Sequence, residues 1–229
     1  MLLFWAAALP FAALLGIPWT YLTKDISFLY KTSMGAAYNG VRIAGVKVET
    51  IGLEKLDPAR TYIFMSNHIS NLDPPITLPL IPRRTSVMVK KELFKVPILG
   101  RIMLIGSLVP VDRASRDSGV TALRDAVRAI EQGLNMTIYV EGKRSFDGKL
   151  LPFKRGPFYL AEECKVPVVP ITISGTEAVM PKARFAISPG TVKVEFHDAI
   201  EPSDFGDRES LMARVRAAIN GGLPAEMRE

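Results

Sequence analysis

The chain contains one cysteine and two histidines, and this scarcity excludes several kinds of site. Cys164 has no partner for a disulfide, so a disulfide framework and a cysteine-based metal site are not expected, which is typical of a reducing compartment. The sequence also lacks a Gly-x-Ser-x-Gly motif, so a serine nucleophile elbow is not predicted. One loop histidine with scattered carboxylates makes metal-assisted hydrolysis the weaker alternative.

Residues 1–23 lack charged side chains altogether. As a helix they would measure about 35 Å, which is enough to cross a bilayer. Pro10 and Pro18 are expected to interrupt the run, and Trp5 and Trp19 favour the headgroup level, so an interfacial or re-entrant helix pair stays open beside a straight span. No Lys or Arg precedes the run, which disfavours a cleaved signal peptide. The apolar surface is therefore assigned to lipid rather than to the core, and a nucleic-acid partner is not expected.

Positive charge is concentrated in residues 83–155. This region carries fifteen Lys and Arg against seven Asp and Glu, within a chain of formal net charge +6. Such a region attracts phosphate groups of lipids or small substrates. A solvated basic face is the alternative explanation.

Beyond the apolar run, the pattern predicts an amphipathic helix and then alternating strands and helices. We therefore divide the chain into membrane-binding helices at 1–40 and an α/β domain at 41–229, with a mixed, largely parallel sheet flanked by helices. Helices are predicted at 117–132 and 208–221. Strands are predicted at 41–49, 61–66, 85–90, 107–111, 136–140, 166–174 and 192–196.

Polar residues follow directly on four of these predicted strands. They are His68, Lys90, the pair Asp112-Arg113 and the pair Glu141-Gly142. Because ligands bind at the carboxyl ends of strands in such folds, we expect the four groups to face one crevice.

The segment SNHISNLDPP places His68 five positions before Asp73. Asp73-Pro74 fits a helix N-cap followed by proline, and capping alone is one interpretation. The other is that Asp73 accepts the Nδ1 hydrogen of His68, which leaves Nε2 to take a proton as a general base. Without a nucleophile elbow, that proton would come from a substrate hydroxyl, so direct transfer without an acyl-enzyme is expected.

The segment 139–156, YVEGKRSFDGKLLPFKRG, is a candidate phosphate-binding loop. Gly142 permits close backbone approach, and Arg144 is one of several cations. Arg113 could supply a second, bidentate guanidinium to the same anion. An ion pair with Asp112 or Glu141 is the alternative role of each arginine.

Four motifs in this order resemble those of the glycerolipid acyltransferases, in particular the 1-acyl-glycerol-3-phosphate acyltransferases. NHISNLD resembles the family's first motif, GSLVPVDR its second, YVEGKRS its third and VPVVPITISG its fourth. The resemblance covers roughly residues 60–175. In the third motif, Val140 stands where the family usually has proline and Lys143 where it usually has threonine.

The resemblance implies a role for each matching residue. His68 would be the base and Asp73 would orient it. The segment MVKKELFKVPILG also resembles the family's Ala-Lys-x-Glu-Leu segment, which implies that Lys90, with Lys91 as a one-residue alternative, would stabilise the oxyanion of the thioester. The acceptor site would be formed by Arg113 and Arg144 as phosphate ligands and by Glu141 and Gly142 as residues that shape the pocket.

The implied activity is transfer of a fatty acyl group from acyl-CoA or acyl-carrier protein to the sn-2 hydroxyl of lysophosphatidic acid, giving phosphatidic acid. The enzyme would act on an anionic membrane surface, at the cytoplasmic side of the cell membrane, without a cofactor or metal. Two alternatives stay open: another lysolipid acceptor, such as lyso-ornithine lipid, for which Lys143 leaves room, and a non-catalytic binder of anionic lipid.

Overall fold

The computed structural model describes residues 2–112, 115–181 and 186–229, in which helices and strands alternate. The helices are α1 Leu2–Thr23, α2 Ser27–Ile43, α3 Asp73–Thr77, α4 Leu99–Ile105, α5 Arg116–Glu131, α6 Gly156–Cys164, α7 Thr176–Val179 and α8 Arg208–Gly222. The strands are β1 Val46–Ile51, β2 Ile63–Ser66, β3 Thr85–Lys90, β4 Val109–Val111, β5 Asn135–Tyr139, β6 Val168–Ser174 and β7 Gly190–Phe196. The predicted alternation of strands and helices is confirmed.

The strands of the described residues form one mixed sheet in the order β1-β7-β6-β2-β5-β3-β4. All neighbouring pairs are parallel except β6 and β7, which run antiparallel. Strands β2, β5 and β6 are buried along their whole length, as expected for central parallel strands covered on both faces. The fold class is therefore the predicted one, a largely parallel sheet between helices.

A hydrophobic cluster covers each face of the sheet. On one face, helices α5, α6 and α8 contribute side chains such as Ala126, Leu160 and Val215. On the other face, α2 and α3 contribute Val41 and Ile76. In β2, Ile63 and Met65 enter one cluster and Phe64 enters the other, because successive strand side chains point to opposite faces.

Helices α1 and α2 form an antiparallel hairpin that packs onto the second of these faces. Gly16 lies against Leu29, which is 1% exposed, and the Trp5 indole donates a hydrogen bond to the Ala36 carbonyl at 3.1 Å. Gly40 leaves the space into which the Trp5 ring fits. One stripe of α1 is thus part of the core, so the assignment of its whole surface to lipid was wrong.

The opposite stripe of α1 is exposed and apolar. Leu3, Phe11, Leu14 and Leu22 are each at least 65% exposed. Residues Leu3–Thr23 form the one helix, among those described, that is long and apolar enough to cross a membrane. A helix with one face in the protein and one apolar face outward fits association with a lipid surface.

Two local predictions differ from the structure. Pro10 and Pro18 lie inside α1, which continues through both as a single helix of 22 residues. Residues 41–43 belong to the last turn of α2, whereas the sequence predicted a strand from residue 41. Packing of α1 against α2 explains the first, and burial of Val41 against the sheet explains the second, because tertiary packing stabilises helix across local signals that favour another structure.

Candidate active site

The carboxyl ends of four adjacent parallel strands meet at one edge of the sheet. These are β2, β5, β3 and β4, in that spatial order. His68 follows β2, Glu141 and Gly142 follow β5, Lys90 ends β3 and Asp112 follows β4. These polar residues therefore lie at strand ends on one edge of the sheet, while their facing one crevice stays a prediction.

His68 and Asp73 are in direct contact. The Nδ1 atom of His68 lies 2.7 Å from Oδ2 of Asp73, and both side chains are buried. The same oxygen accepts the backbone N–H groups of Ile69 at 2.7 Å and Ser70 at 2.9 Å. Asp73 is the first residue of α3, and Leu72 occupies the N-cap, so the capping interpretation was wrong. The carboxylate instead closes the loop back onto the imidazole.

The His68 ring is also held on one of its faces. Tyr139, the last residue of β5, stacks on it with ring centroids 4.3 Å apart and an interplanar angle of 27°. The Tyr139 hydroxyl is 2.9 Å from Oγ1 of Thr77, which itself donates to the carbonyl of Asp73 at 2.7 Å. The rings and hydroxyls therefore tie the imidazole to the short helix α3.

Glu141 organises the backbone around the histidine. Its Oε1 accepts the backbone N–H of His68 at 2.8 Å, and its Oε2 accepts that of Leu151 at 2.9 Å. Burial raises the pKa of Glu141 to about 7, although both hydrogen bonds oppose the shift and the nearby Asp73 carboxylate adds to it. Through these two hydrogen bonds, Glu141 holds the backbone at His68 close to the backbone at Leu151.

Gly142 and Ser145 fix the course of the same loop. Gly142 has φ +70°, and its N–H donates to the Tyr139 carbonyl at 3.0 Å, so a tight turn brings the chain back over β5. Glycine adopts this left-handed conformation without the steric cost that a Cβ atom brings. The Ser145 N–H donates to the His68 carbonyl at 2.8 Å. The loop that begins at Glu141 is thus bonded to both backbone groups of His68, to its N–H through Glu141 and to its carbonyl through Ser145.

The lysines and arginines that the sequence assigned to the site lie in different segments and make different contacts within the described residues. Lys90 is exposed at the end of β3, with its Nζ 3.6 Å from Glu92, and within the described ranges it makes no hydrogen bond to His68 or Asp73. Lys91 forms an ion pair with Asp112. Arg144 lies half-buried in the loop, next to Ser145. Arg113 lies outside the described residues.

Three residues of this edge were missed by sequence reasoning. Tyr139 and Thr77 hold the imidazole, as described above. Asn67 joins β2 to β6 through two hydrogen bonds, from its Nδ2 to the Ile173 carbonyl and from the Ile173 N–H to its Oδ1, each 2.8 Å. A buried amide that completes a strand end cannot be distinguished in sequence from a polar loop residue.

With Nδ1 engaged by a carboxylate, Nε2 is the nitrogen of His68 left to exchange a proton with a substrate. A buried Asp–His pair at the carboxyl edge of a parallel sheet is suited to general-base activation of a hydroxyl. The neighbouring loop carries Lys143, Arg144 and Lys149, side chains of the kind that bind anionic groups.

Comparison with known proteins agrees with this geometry. Residues 47–174 match the model of the Acyltransferase family, and the chain belongs to that family. The matched region runs from the second residue of β1 to the end of β6 and includes every residue of the edge described above.

Among its relatives, the chain is similar to 1-acyl-sn-glycerol-3-phosphate acyltransferases. It is 31% identical over 190 residues to the enzyme of Limnanthes alba, covering 82% of this chain and 66% of that protein. It is 33% identical to the human beta enzyme, covering 69% of this chain and 58% of that protein. The chain therefore spans about three fifths to two thirds of the length of these curated relatives.

A solved structure is similar over nearly the whole chain. It is the crystal structure of the 1-acyl-sn-glycerophosphate acyltransferase PlsC from Thermotoga maritima, with a TM-score of 0.76 and 28% sequence identity. The similarity covers 96% of this chain and 87% of that one. It thus includes the N-terminal helices as well as the sheet.

Proposed function

We propose that this protein is an O-acyltransferase that moves a fatty acyl group from a thioester to the sn-2 hydroxyl of lysophosphatidic acid, giving phosphatidic acid. The observation that carries the proposal is the 2.7 Å contact between His68 Nδ1 and Asp73 Oδ2 at the sheet edge. The names of the similar proteins support the choice of acceptor. The donor is acyl-CoA or acyl-carrier protein.

In the proposed reaction, His68 Nε2 takes the proton of the acceptor hydroxyl as the oxygen attacks the thioester carbon. The C–O bond forms, the carbonyl oxygen becomes an oxyanion, and the C–S bond then breaks. The thiolate leaves with the proton that His68 received, so the base is restored. Asp73 holds the ring in the required orientation and stabilises its charged form.

The cations around the edge have separate proposed roles. Lys90, at the end of β3, stabilises the thioester oxyanion once substrate is bound. Arg144, together with Arg113, binds the acceptor phosphate. Glu141 and Gly142 shape the acceptor site by fixing the loop that carries Arg144.

The proposal is tested by an assay of purified protein that follows thiol release from acyl-CoA and from acyl-carrier protein. The acceptor panel contains lysophosphatidic acid, a lysophospholipid with a larger headgroup and lyso-ornithine lipid. We expect phosphatidic acid as the main product. Failure to transfer to any acceptor would favour a non-catalytic lipid binder, and a preference for another lysolipid would change the assigned acceptor.

Arg144→Ala is expected to raise the acceptor KM by about 10- to 100-fold, because a charge-assisted bond to phosphate contributes about 1.5–3 kcal/mol. The donor KM should change little. The acceptor KM of Arg144→Lys should lie between those of the parent and Arg144→Ala, since lysine supplies the positive charge but not the bidentate N–H donors of the guanidinium. Steady-state kinetics with each substrate varied in turn gives the two KM values. Unchanged acceptor kinetics would assign Arg144 to a structural role in the loop.

We further propose that the exposed stripe of α1 attaches the enzyme to the cytoplasmic side of the cell membrane, where its lipid acceptor resides. The triple substitution Phe11→Ser, Leu14→Ser and Leu22→Ser should lower partitioning into vesicles by at least about 100-fold. Burial of each such side chain in an apolar phase contributes about 1.5–3 kcal/mol. Vesicle flotation measures the effect, and the melting temperature should stay close to that of the parent.

Leu29→Ala is the matched control for this stripe, because Leu29 lies on the protein side of the helical hairpin. It should lower the free energy of unfolding by about 2–5 kcal/mol, as other buried Leu→Ala changes do, and leave flotation unchanged. If the triple variant still floats fully, the stripe is not the membrane anchor.

A further inference from the structure

A cleft of about 410 Å³ lies between α2 and the segment that leads from α3 into β3. Tyr30, Lys31 and Met34 of α2 form one wall, and Leu78 and Ile81 lie opposite them. The volume falls within the range of about 300–1,000 Å³ that is usual for small-molecule sites.

Two cations of the cleft, Lys31 and Arg84, form no ion pair within the described residues. Burial lowers the pKa of Arg84, and its Nε is enclosed without a hydrogen-bond partner in the described part of the chain. Asp25 is the carboxylate that interacts with both cations at longer range, but its Oδ1 accepts the Ser27 N–H at 2.8 Å. A half-buried guanidinium of this kind is stabilised by an oxyanion.

A third cation, Arg83, adds fixed positive charge to the cleft. Its guanidinium donates to the carbonyls of Ala59 at 2.8 Å and Gly133 at 2.5 Å, which keeps it in place. Three cations against one carboxylate give the cleft a net positive charge. The ligand class that this favours is a phosphate ester rather than a neutral molecule.

Part of the lining of the cleft is apolar. Met34, Leu78, Pro79 and Ile81 line it together with the cations, and Leu78 and Ile81 are buried. Inorganic phosphate would gain nothing from these side chains, whereas the glycerol and first methylenes of a phospholipid would bury apolar surface against them. The combination therefore favours a lipid headgroup over a free anion.

The cleft is separate from the candidate active site. Arg84 directly precedes β3 and so lies at the amino edge of the parallel strands, whereas His68 lies at their carboxyl edge. Ser27, which lines the cleft, begins α2 just after the end of α1. That end of α1 exposes Trp19 and Leu22, residues suited to the membrane interface.

From these observations we propose that the cleft binds the phosphate headgroup of an anionic phospholipid, at a site distinct from the acyl-transfer site. The bound lipid would neutralise Arg84 and Lys31 and fix the hairpin of α1 and α2 at the membrane surface. The proposal goes beyond the transfer reaction, which does not require this site.

The test measures flotation of the full chain with phosphatidylcholine vesicles that contain or lack phosphatidylglycerol. Lys31→Gln with Arg84→Gln should lower affinity for the anionic vesicles by about 30-fold, since each surface cation contributes about 1 kcal/mol. The substitution Gly35→Phe distinguishes binding inside the cleft from general attraction between the vesicle and the positive surface. Gly35 lines the cleft with open space around it, so the ring would fill the cleft without a change of charge. It should lower the same affinity at least about 10-fold.

Gly221→Phe is the matched control, because it adds the same side chain at another helical glycine with open space, on α8. It should bind as the parent does. If Gly35→Phe also binds as the parent, diffuse charge explains the attraction and the proposal is wrong. If the cleft variants lose as much affinity for vesicles without phosphatidylglycerol as for vesicles that contain it, binding of the anionic headgroup is likewise contradicted.

The source of the phosphate is tested by thermal unfolding in neutral detergent. Dihexanoyl-phosphatidylglycerol should raise the melting temperature of the parent but not that of the Gly35→Phe variant, and inorganic phosphate should have no such effect. Equal stabilisation by inorganic phosphate would overturn the lipid assignment. His68→Ala should keep full lipid affinity, and the cleft variants should keep acyl transfer to dispersed acceptor, so failure of one proposal is distinguishable from failure of the other.

Discussion

His68→Ala is expected to lower acyl transfer by about 10²–10⁴-fold, the range for loss of a general base. Asp73→Ala should cause a loss of similar size, because the ring it holds at 2.7 Å is then unoriented. The double variant should be no worse than the single His68 variant, since two residues that act as a unit do not contribute independently. Rates with lysophosphatidic acid and acyl-CoA give all three values.

Stability has to be separated from chemistry in this experiment. Asp73→Ala leaves the N–H groups of Ile69 and Ser70 without their acceptor, so Asp73→Asn is the milder second variant. His197→Ala is the matched control, because the other histidine lies at a different edge and bonds Thr172 through Nε2 at 2.8 Å. Losses that simply multiply in the double variant would contradict the proposed pair, as would normal transfer in either folded single variant.

Glu141→Ala is expected to lower the free energy of unfolding by about 2–6 kcal/mol, because two N–H groups would lose their acceptor at about 1–3 kcal/mol each. These are the N–H groups of His68 and Leu151. Transfer should fall as well, because the backbone of the base is no longer fixed. Urea unfolding measures the stability. The control is Glu163→Ala on the exposed face of α6, which should change little.

The raised pKa of Glu141 also predicts how stability depends on pH. Below about 4.5 the carboxyl is protonated in both the folded and the unfolded states, so it contributes no pH dependence there. From there to about pH 7 the unfolded chain loses its proton first, and the free energy of unfolding therefore falls as pH rises. Each unit of pKa difference corresponds to about 1.4 kcal/mol. Glu141→Gln should remove this component, and an unchanged pH profile would argue against the raised pKa.

The sequence predicted the sheet well because its strands are short apolar runs with polar residues at their carboxyl ends. Parallel strands must place those ends together, so the convergence of His68, Lys90 and Glu141 followed from topology alone. The spacing of His68 and Asp73 allowed their contact, since a tight loop of that length can bring the two side chains together, but it left helix capping alone as an alternative, and only the structure decided between them.

Contacts between distant segments were not predictable in the same way. The stacking of Tyr139 on His68 and the two bonds from Asn67 to Ile173 depend on which strands become neighbours, which no local pattern specifies. The helical residues 41–43 and the unbroken α1 were missed for a related reason. Packing of α1 and α2 against each other and against the sheet outweighs the two prolines of α1 and the strand pattern at 41–43, which are the signals that local sequence offers.

The fixed imidazole has a consequence for the order of events in the proposed reaction. Nδ1 of His68 is committed to Asp73 and one ring face is covered by Tyr139, so a single nitrogen has to serve both proton transfers. The hydroxyl that gives the proton and the sulfur that receives it must therefore both come within reach of Nε2. Because the proposed transfer is direct and forms no acyl-enzyme, both substrates are bound at once, and this one nitrogen serves both of them within a single ternary complex.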